Sequence, residues 1–209
     1  MKFYDCKTAP SPRRVRIFLA EKGIDIETID VDLASGEQFS DAFRKINPDC
    51  VVPALELDDG SHLSEVVAIC QYLEAVYPEP PLLGGDAEER ARVSMWTAKV
   101  EQQGLFAVMD ALRNFSRGFK ERAIAGVKNY EQIPELAERG RERIFQFFER
   151  LDTHLANSKY LAGECFTMAD ISALVFVEFA KRVKADVPGE HANLRRWYED
   201  VSQRPAAAV

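Results

Sequence analysis

Thiols and imidazoles are the groups most readily turned to nucleophilic or metal chemistry, and this chain has four cysteines, Cys6, Cys50, Cys70 and Cys165, and three histidines, His62, His154 and His191. They form neither a Cys-x-x-Cys pair nor a histidine cluster, so no metal site is expected. In a reducing compartment the four cysteines are expected as free thiols. Other groups stand where elements begin or end. Ser11 precedes Pro12, the order in which a serine caps a helix and a proline occupies its first turn, and Arg13 and Arg14 follow. Tyr4 lies in a short apolar segment ahead of them, Glu65 opens a later helical pattern, and Asn114 sits near the end of a long one.

The elements that must position these groups fall into two regions. Lys2 to Cys6 reads as a strand, and Val15, Phe18, Leu19 and Lys22 recur at helical spacing up to Gly23, a C-terminal glycine. Ile26 to Leu33 is rich in β-branched residues and reads as a second strand. Phe39 to Ile46 is a short helix that must end at Asn47, since the residue before Pro48 disfavours helical dihedrals. Val51 to Leu57 and His62 to Leu63 flank Asp58-Asp59-Gly60-Ser61, a hairpin turn. Ser64 to Tyr77 then places Val66, Ile69, Cys70, Leu73 and Val76 on one helical face. The order is βαβαββα over residues 1–78.

Residues 79–85 are rich in proline and glycine and read as a linker. Beyond them residues 86–209 are all helical. Asp86 and Glu89 form a capping box for a long helix carrying Val93, Trp96, Val100, Leu105, Val108 and Leu112. A second begins at Pro134. Thr167 and Asp170 make a third start signal, ahead of a run so apolar that it belongs at the centre of the domain. A last helix near Ala192 to Gln203 supplies Leu194, Trp197 and Val201. Phe115 to Gln132 shows no pattern and is expected as a mobile flap.

Bulk properties narrow the partners. With 27 basic against 34 acidic residues, a net charge of -7 and a pI near 5.1, the chain has no basic field for nucleic acid or anionic lipid. No segment is long and apolar enough to span a membrane, and the start lacks the pattern of a secretory signal, so a cytoplasmic location is expected.

An N-terminal βαβαββα unit with Val52-Pro53 before a hairpin, followed by a helical domain with Thr167-Met168-Ala169-Asp170, resembles the cytosolic glutathione transferases. The likeness spans the whole chain and rests on four pieces in register: Arg13 to Gly23, Val52 to Leu55, Glu65 to Ile69, and the box at Thr167. Tyr4-Asp5, the Pro10-x-Pro12 loop and Leu55 to Gly60 look most like the atypical fungal and bacterial class, in which no tyrosine, serine or cysteine clearly does the chemistry. The resemblance implies a thioredoxin-like α/β first domain, an all-α second domain, glutathione as co-substrate, and a homodimer to which the last helix of the first domain contributes.

The family's reaction is attack of the glutathione thiolate on an electrophile, so a thiol with a pKa of about 8.5 must be ionised near neutrality. One donor and a helix start can supply the stabilisation, each pKa unit costing about 1.4 kcal/mol. Ser11 is the candidate donor, with a plain N-cap as its structural alternative. Register through the arginines puts Ala9 or Pro10 where serine-type members hold their hydroxyl; Thr8 and Tyr4 are weaker substitutes, and Cys6 is a candidate for a mixed disulfide. Asn114 matches the region from which the class orients a water. The resemblance further implies that a cis Pro53 exposes the Val52 amide and carbonyl to the cysteinyl part of glutathione. It assigns the γ-glutamyl group to Glu65 and the Val66 amide; by charge type alone, Lys45 or Arg14 is a partner for the glycyl or glutamyl carboxylate. Two departures stand out: Val66 replaces a serine and Cys50 replaces a polar ligand, and each lost hydrogen bond weakens binding by about 1.5 to 3 kcal/mol unless replaced.

The activity implied is conjugation of glutathione to a small hydrophobic electrophile, or peroxide reduction with it, in a cleft between the domains lined by Phe106, Met109 and Phe115. For those three residues the competing expectation is core packing. A non-catalytic scaffold that keeps the fold is the second hypothesis.

Overall fold

A computed structural model describes residues 1–209. The chain divides into two compact units, one comprising Met1–Pro80 with Ala125–Lys128 and Val209, the other Pro81–Ile124 with Asn129–Ala208.

In the first unit the order is β1 (Lys2–Asp5), α1 (Pro10–Lys22), β2 (Glu27–Asp30), α2 (Asp41–Ile46), β3 (Ala54–Glu56), β4 (His62–Ser64) and α3 (Val66–Val76), with a 3-10 turn at Glu37–Phe39. The four strands lie in the order β2-β1-β3-β4, β2 parallel to β1 and the other two neighbouring pairs antiparallel. Successive side chains on a strand face opposite ways. Tyr4 and Ala54 therefore share the face that packs on Phe43 of α2, and Phe3 and Leu55, both fully buried, share the other. The remaining helices, α1 packed against α3, add Phe18, Ile69 and Leu73 to the buried set.

Gly23 ends α1 in the left-handed region (φ 63), where a residue without Cβ carries no penalty, and its N–H reaches the Ala20 carbonyl. Lys22, which helical spacing alone placed on the apolar stripe, is buried for a polar reason. Its Nζ lies 2.7 Å from Glu74 of α3 and donates to the Tyr77 and Pro80 carbonyls, each at 2.7 Å, pinning the start of the proline-rich stretch to this unit. The end of that stretch is held by the helical unit, where the Leu82 carbonyl accepts from Met168 N–H at 2.9 Å and the Gly84 carbonyl from Arg90 at 3.0 Å.

The helical unit contains α4 (Ala87–Lys99), a π-helical segment (Val100–Leu105), α5 (Phe106–Arg113), α6 (Pro134–Leu155), α7 (Met168–Ala180) and α8 (Ala192–Ser202). Asp86 caps α4 through Glu89 N–H at 2.8 Å, while the Glu89 carboxylate returns to the Gly85 N–H, one residue earlier than in a standard capping box. The single long helix expected over Val93 to Leu112 is interrupted by the π segment. Gly104, within that segment, faces Phe176 so closely that an added Cβ would meet the ring at 2.9 Å. Apart from Glu178, all of α7 is buried.

Asp170, fully buried at the start of α7, fastens three parts of this unit. One carboxylate oxygen accepts from Leu161 N–H (2.9 Å) and Trp197 Nε1 of α8 (3.0 Å), the other from the Thr167 N–H and hydroxyl (both 3.1 Å). Burial pushes its carboxyl up to about 6 against the opposing pull of those donors.

Candidate functional site

Strand register decides which loops meet. β1 and β3 are antiparallel with Tyr4 opposite Ala54, and β3 and β4 are antiparallel with Ala54 opposite Ser64. The chain leaving β1 toward Ser11, the chain entering β3 through Val52-Pro53, and the chain leaving β4 into Glu65-Val66 therefore emerge at one edge of the sheet. Five of the sequence candidates, Ser11, Val52, Pro53, Glu65 and Val66, are brought to that edge. Arg14 lies one turn into α1 and is buried, Lys45 stands exposed on the last turn of α2, and Asn114 belongs to the helical unit.

The start of α1 differs from expectation. Its N-cap is Ala9, with no side-chain cap, and Ser11 is the second helical residue, so the capping explanation for this serine falls away. Pro10 and Pro12 have no N–H, and Arg13 N–H turns back to the Ala9 carbonyl at 3.4 Å. A helix start normally offers several free amides. Here Ser11 supplies the N–H and the hydroxyl beside it, and the row of free amides expected at this end is reduced to that residue. Nearby, Cys6 Sγ and Thr8 Oγ1 lie 3.5 Å apart, with Cys6 buried.

Across the edge, the Val52-Pro53 bond is cis, and the Val52 N–H and C=O are engaged by no backbone partner. Glu65 has φ 67, a left-handed value that a residue with a Cβ adopts at a cost, and it serves as N-cap of α3 with its side chain exposed. Val66 is buried and has no side-chain hydroxyl, so its backbone amide is the only donor it can offer.

One residue of the loop before β3, Asn47, escaped the sequence reading of the site. Asn47 is buried with its amide group bonded at both ends, Nδ2 donating to the Val51 carbonyl at 2.8 Å and Oδ1 accepting from Asp49 N–H at 3.1 Å. Cys50, read only as a missing polar ligand, is buried at φ 55, its thiol directed to the Pro48 carbonyl at 3.6 Å. The Asn-Pro pair that ends α2 was the available signal, since asparagine ahead of a turn bonds forward to the backbone.

The hydroxyl of Tyr4 is committed elsewhere, donating to Glu56 at 2.8 Å, and burial together with that bond pushes the phenol up to about 12. Lys2 bonds the other oxygen of the same carboxylate at 3.0 Å, and these donors hold Glu56 below the usual range. The ring packs edge-on against Phe43. Tyr4 thus joins β1 to β3.

In the helical unit Asn114 caps α5, its Nδ2 donating to the Asp110 carbonyl (3.0 Å) and its Oδ1 accepting from Ile133 N–H (2.9 Å). The segment after it is braced: Gln132 donates to the Arg113 and Ser116 carbonyls at 2.6 and 2.8 Å, and Glu121 and Ala123 pair with Tyr130. The segment expected as a flap, Phe115 to Gln132, thus carries an isolated parallel bridge between Arg122 and Tyr130 and bonds back to the end of α5, contacts that run between residues distant along the chain. Phe106 and Phe115 are 50% and 82% exposed, so core packing does not account for them.

Comparison with known proteins agrees with this fold. Models of the glutathione S-transferase N-terminal and C-terminal domains match residues 8–76 and 134–200. The chain is 34% identical over 208 residues to glutathione S-transferase 2 of Saccharomyces cerevisiae, covering 99% of this chain and 87% of the yeast protein. A glutathione S-transferase domain-containing protein of Marinobacter aquaeolei, known from a crystal structure, superposes with a TM-score of 0.91 at 36% identity, over 99% of both chains. Maleylacetoacetate isomerase of Rattus norvegicus is 34% identical over 176 residues, 83% of this chain and 75% of that protein. The chain belongs to the glutathione S-transferases, with relatives of the fungal and bacterial kind that its N-terminal motifs suggested.

Proposed function

We propose that this protein is an enzyme that ionises glutathione at the start of α1 and directs the thiolate at a small hydrophobic electrophile. The observation that carries the reading is the convergence of Ser11, the cis Val52-Pro53 pair and the strained Glu65 at one sheet edge. Ser11, freed from capping, donates to the sulfur through its hydroxyl and N–H. Val52 pairs its backbone with the cysteinyl part as an added strand. Glu65 and the Val66 amide take the γ-glutamyl group, and Arg14 and Lys45 supply positive charge for carboxylates. Asn114 acts from the helical unit; its amide, shared between Asp110 and Ile133, orients a water only with the valences those bonds leave. The working form is a homodimer in the cytoplasm.

The test is calorimetric titration with reduced glutathione, coupled to conjugation of an aryl halide by wild type, Ser11→Ala and Asn114→Ala. Binding with turnover reduced in one variant supports the reading and identifies the thiol's partner. No binding at millimolar glutathione leaves a scaffold that has kept only the fold. The kinship with an isomerase favours one second reading, in which glutathione adds to an unsaturated substrate and leaves again after rotation. That reaction consumes no glutathione, whereas conjugation and peroxide reduction both do.

A further inference from the structure

We propose that Asn47 is a positioning residue that aims the Val52 amide and so sets the affinity for the cysteinyl part of glutathione; this rests on the reading given above. Asn47 grips three of the next four residues: its Oδ1 takes the Asp49 N–H (3.1 Å), its backbone carbonyl takes the Cys50 N–H (3.0 Å), and its Nδ2 holds the Val51 carbonyl (2.8 Å). Its own N–H closes on Phe43 of α2 at 2.8 Å, so the grip is anchored to a helix. The side chain is 2% exposed, and water does not compete for these bonds.

The third bond reaches the site. The Val51–Val52 peptide is trans, the cis bonds of the chain being Val52-Pro53 and Glu79-Pro80. In a planar trans peptide the C=O of one residue and the N–H of the next point in opposite directions. Holding the Val51 carbonyl on Asn47 therefore turns the Val52 N–H to the other side, away from the loop's own bonds and free for a ligand. The plane does not hold itself there. Cys50, its neighbour, sits at φ 55, a conformation that persists in a residue with a Cβ only when its surroundings over-determine it. Asn47 provides that determination from both sides of Cys50.

Two substitutions separate the orienting bond from the turn. Asn47→Asp keeps an acceptor for Asp49 N–H but sets an oxygen against the Val51 carbonyl. Asn47→Ser keeps a short acceptor for the turn but cannot span to Val51. Nitrogen-15 labelling of valine reports Val52 and Val66 in the same spectrum, so Val66 controls for folding and for γ-glutamyl binding. The wild type is expected to shift both amides on adding reduced glutathione. In each variant the glutathione Kd rises about tenfold, the loss of one well-made hydrogen bond, while kcat at saturating glutathione stays within about twofold. At saturation the Val66 shift is retained and the Val52 shift falls below half its wild-type value. An unchanged Kd in the folded variants, or Val52 and Val66 responses that fall together, overturns the role of Asn47 and leaves the glutathione site standing. A wild type in which neither amide responds removes that site, and this inference with it.

Discussion

At the residue scale, Ser11 and Tyr4 show how position settles what a hydroxyl is free to do. Ser11 caps nothing, being the second residue of α1 behind Ala9. Ser11→Ala is therefore expected to leave thermal stability unchanged, to raise the apparent pKa of the bound thiol by about one unit, and to lower turnover at neutral pH about tenfold. A pH-rate profile beside a melting curve checks both halves. Tyr4 is the converse case. Tyr4→Phe is expected to conjugate glutathione at the wild-type rate and to unfold at lower denaturant. The sign with pH follows from the raised phenol: as pH rises from 10 toward 12 the unfolded chain releases a proton that the folded Tyr4 keeps, so the stability this group contributes is complete below pH 10 and is lost across that window. Denaturation of wild type and Tyr4→Phe should converge by the upper end. A constant difference across the range would show that the bond to Glu56 is not what holds the phenol's proton.

At the element scale, helix propensity and packing make opposite predictions at Gly140, in the exposed-patterned first half of α6. An alanine there should gain about 1 kcal/mol by propensity alone. An added Cβ, however, would stand 2.7 Å from both the Ala107 carbonyl oxygen and the Ala111 amide nitrogen of α5, backbone atoms that cannot swing aside. Gly140→Ala is expected to cost about 2 kcal/mol, measured by urea unfolding; an increase in stability would mean that α5 and α6 can separate without loss. The order of the elements and most of their ends were readable, because Pro134, Gly23, Asp86 and Thr167 carry local start and stop chemistry. The π segment was not readable: Gly104 is a poor helix former that hints at an irregularity, but the closeness of Phe176 arises only on folding.

At the scale of the whole molecule, Asp170 ties together three parts of the helical unit: the chain at Leu161, the start of α7 and the indole of α8. Removing the carboxylate strands several buried donors, and Asp170→Ala is expected to destabilise by about 3 to 5 kcal/mol, read from denaturant unfolding followed by indole fluorescence. Its pH dependence runs opposite to that of an ordinary ion-paired aspartate. With the folded pKa raised to about 6, the folded chain holds a proton that the unfolded chain releases from about pH 4 upward. This group's contribution is therefore largest at the acid end and declines until pH 6, above which it is level. The stability difference between wild type and Asp170→Asn should narrow across that interval. A difference that widens would mean that the four donors outweigh burial and that the carboxylate is the favoured form.

What the sequence determined by itself was everything carried by near neighbours or by a spacing: two regions divided near residues 79–85, the βαβαββα order, the buried centre at α7, and the candidates Val52-Pro53 and Glu65 through their likeness to a family. How each polar group is used became visible only in the folded protein. Ser11 was legible as a residue at a helix start but not as one released from capping, because that depends on where Ala9 turns. Lys22 and Tyr4 look like members of apolar stripes until Glu74 and Glu56, more than fifty residues away, come within hydrogen-bond distance. Asn47 reads as a helix stop; its partners Asp49 and Val51 are near neighbours, but which of their groups it bonds depends on the path the loop takes. Hydrogen bonds are short and directional, so their partners are named by the fold, whereas hydrophobic periodicity is additive along the chain and is already present in the order of the residues.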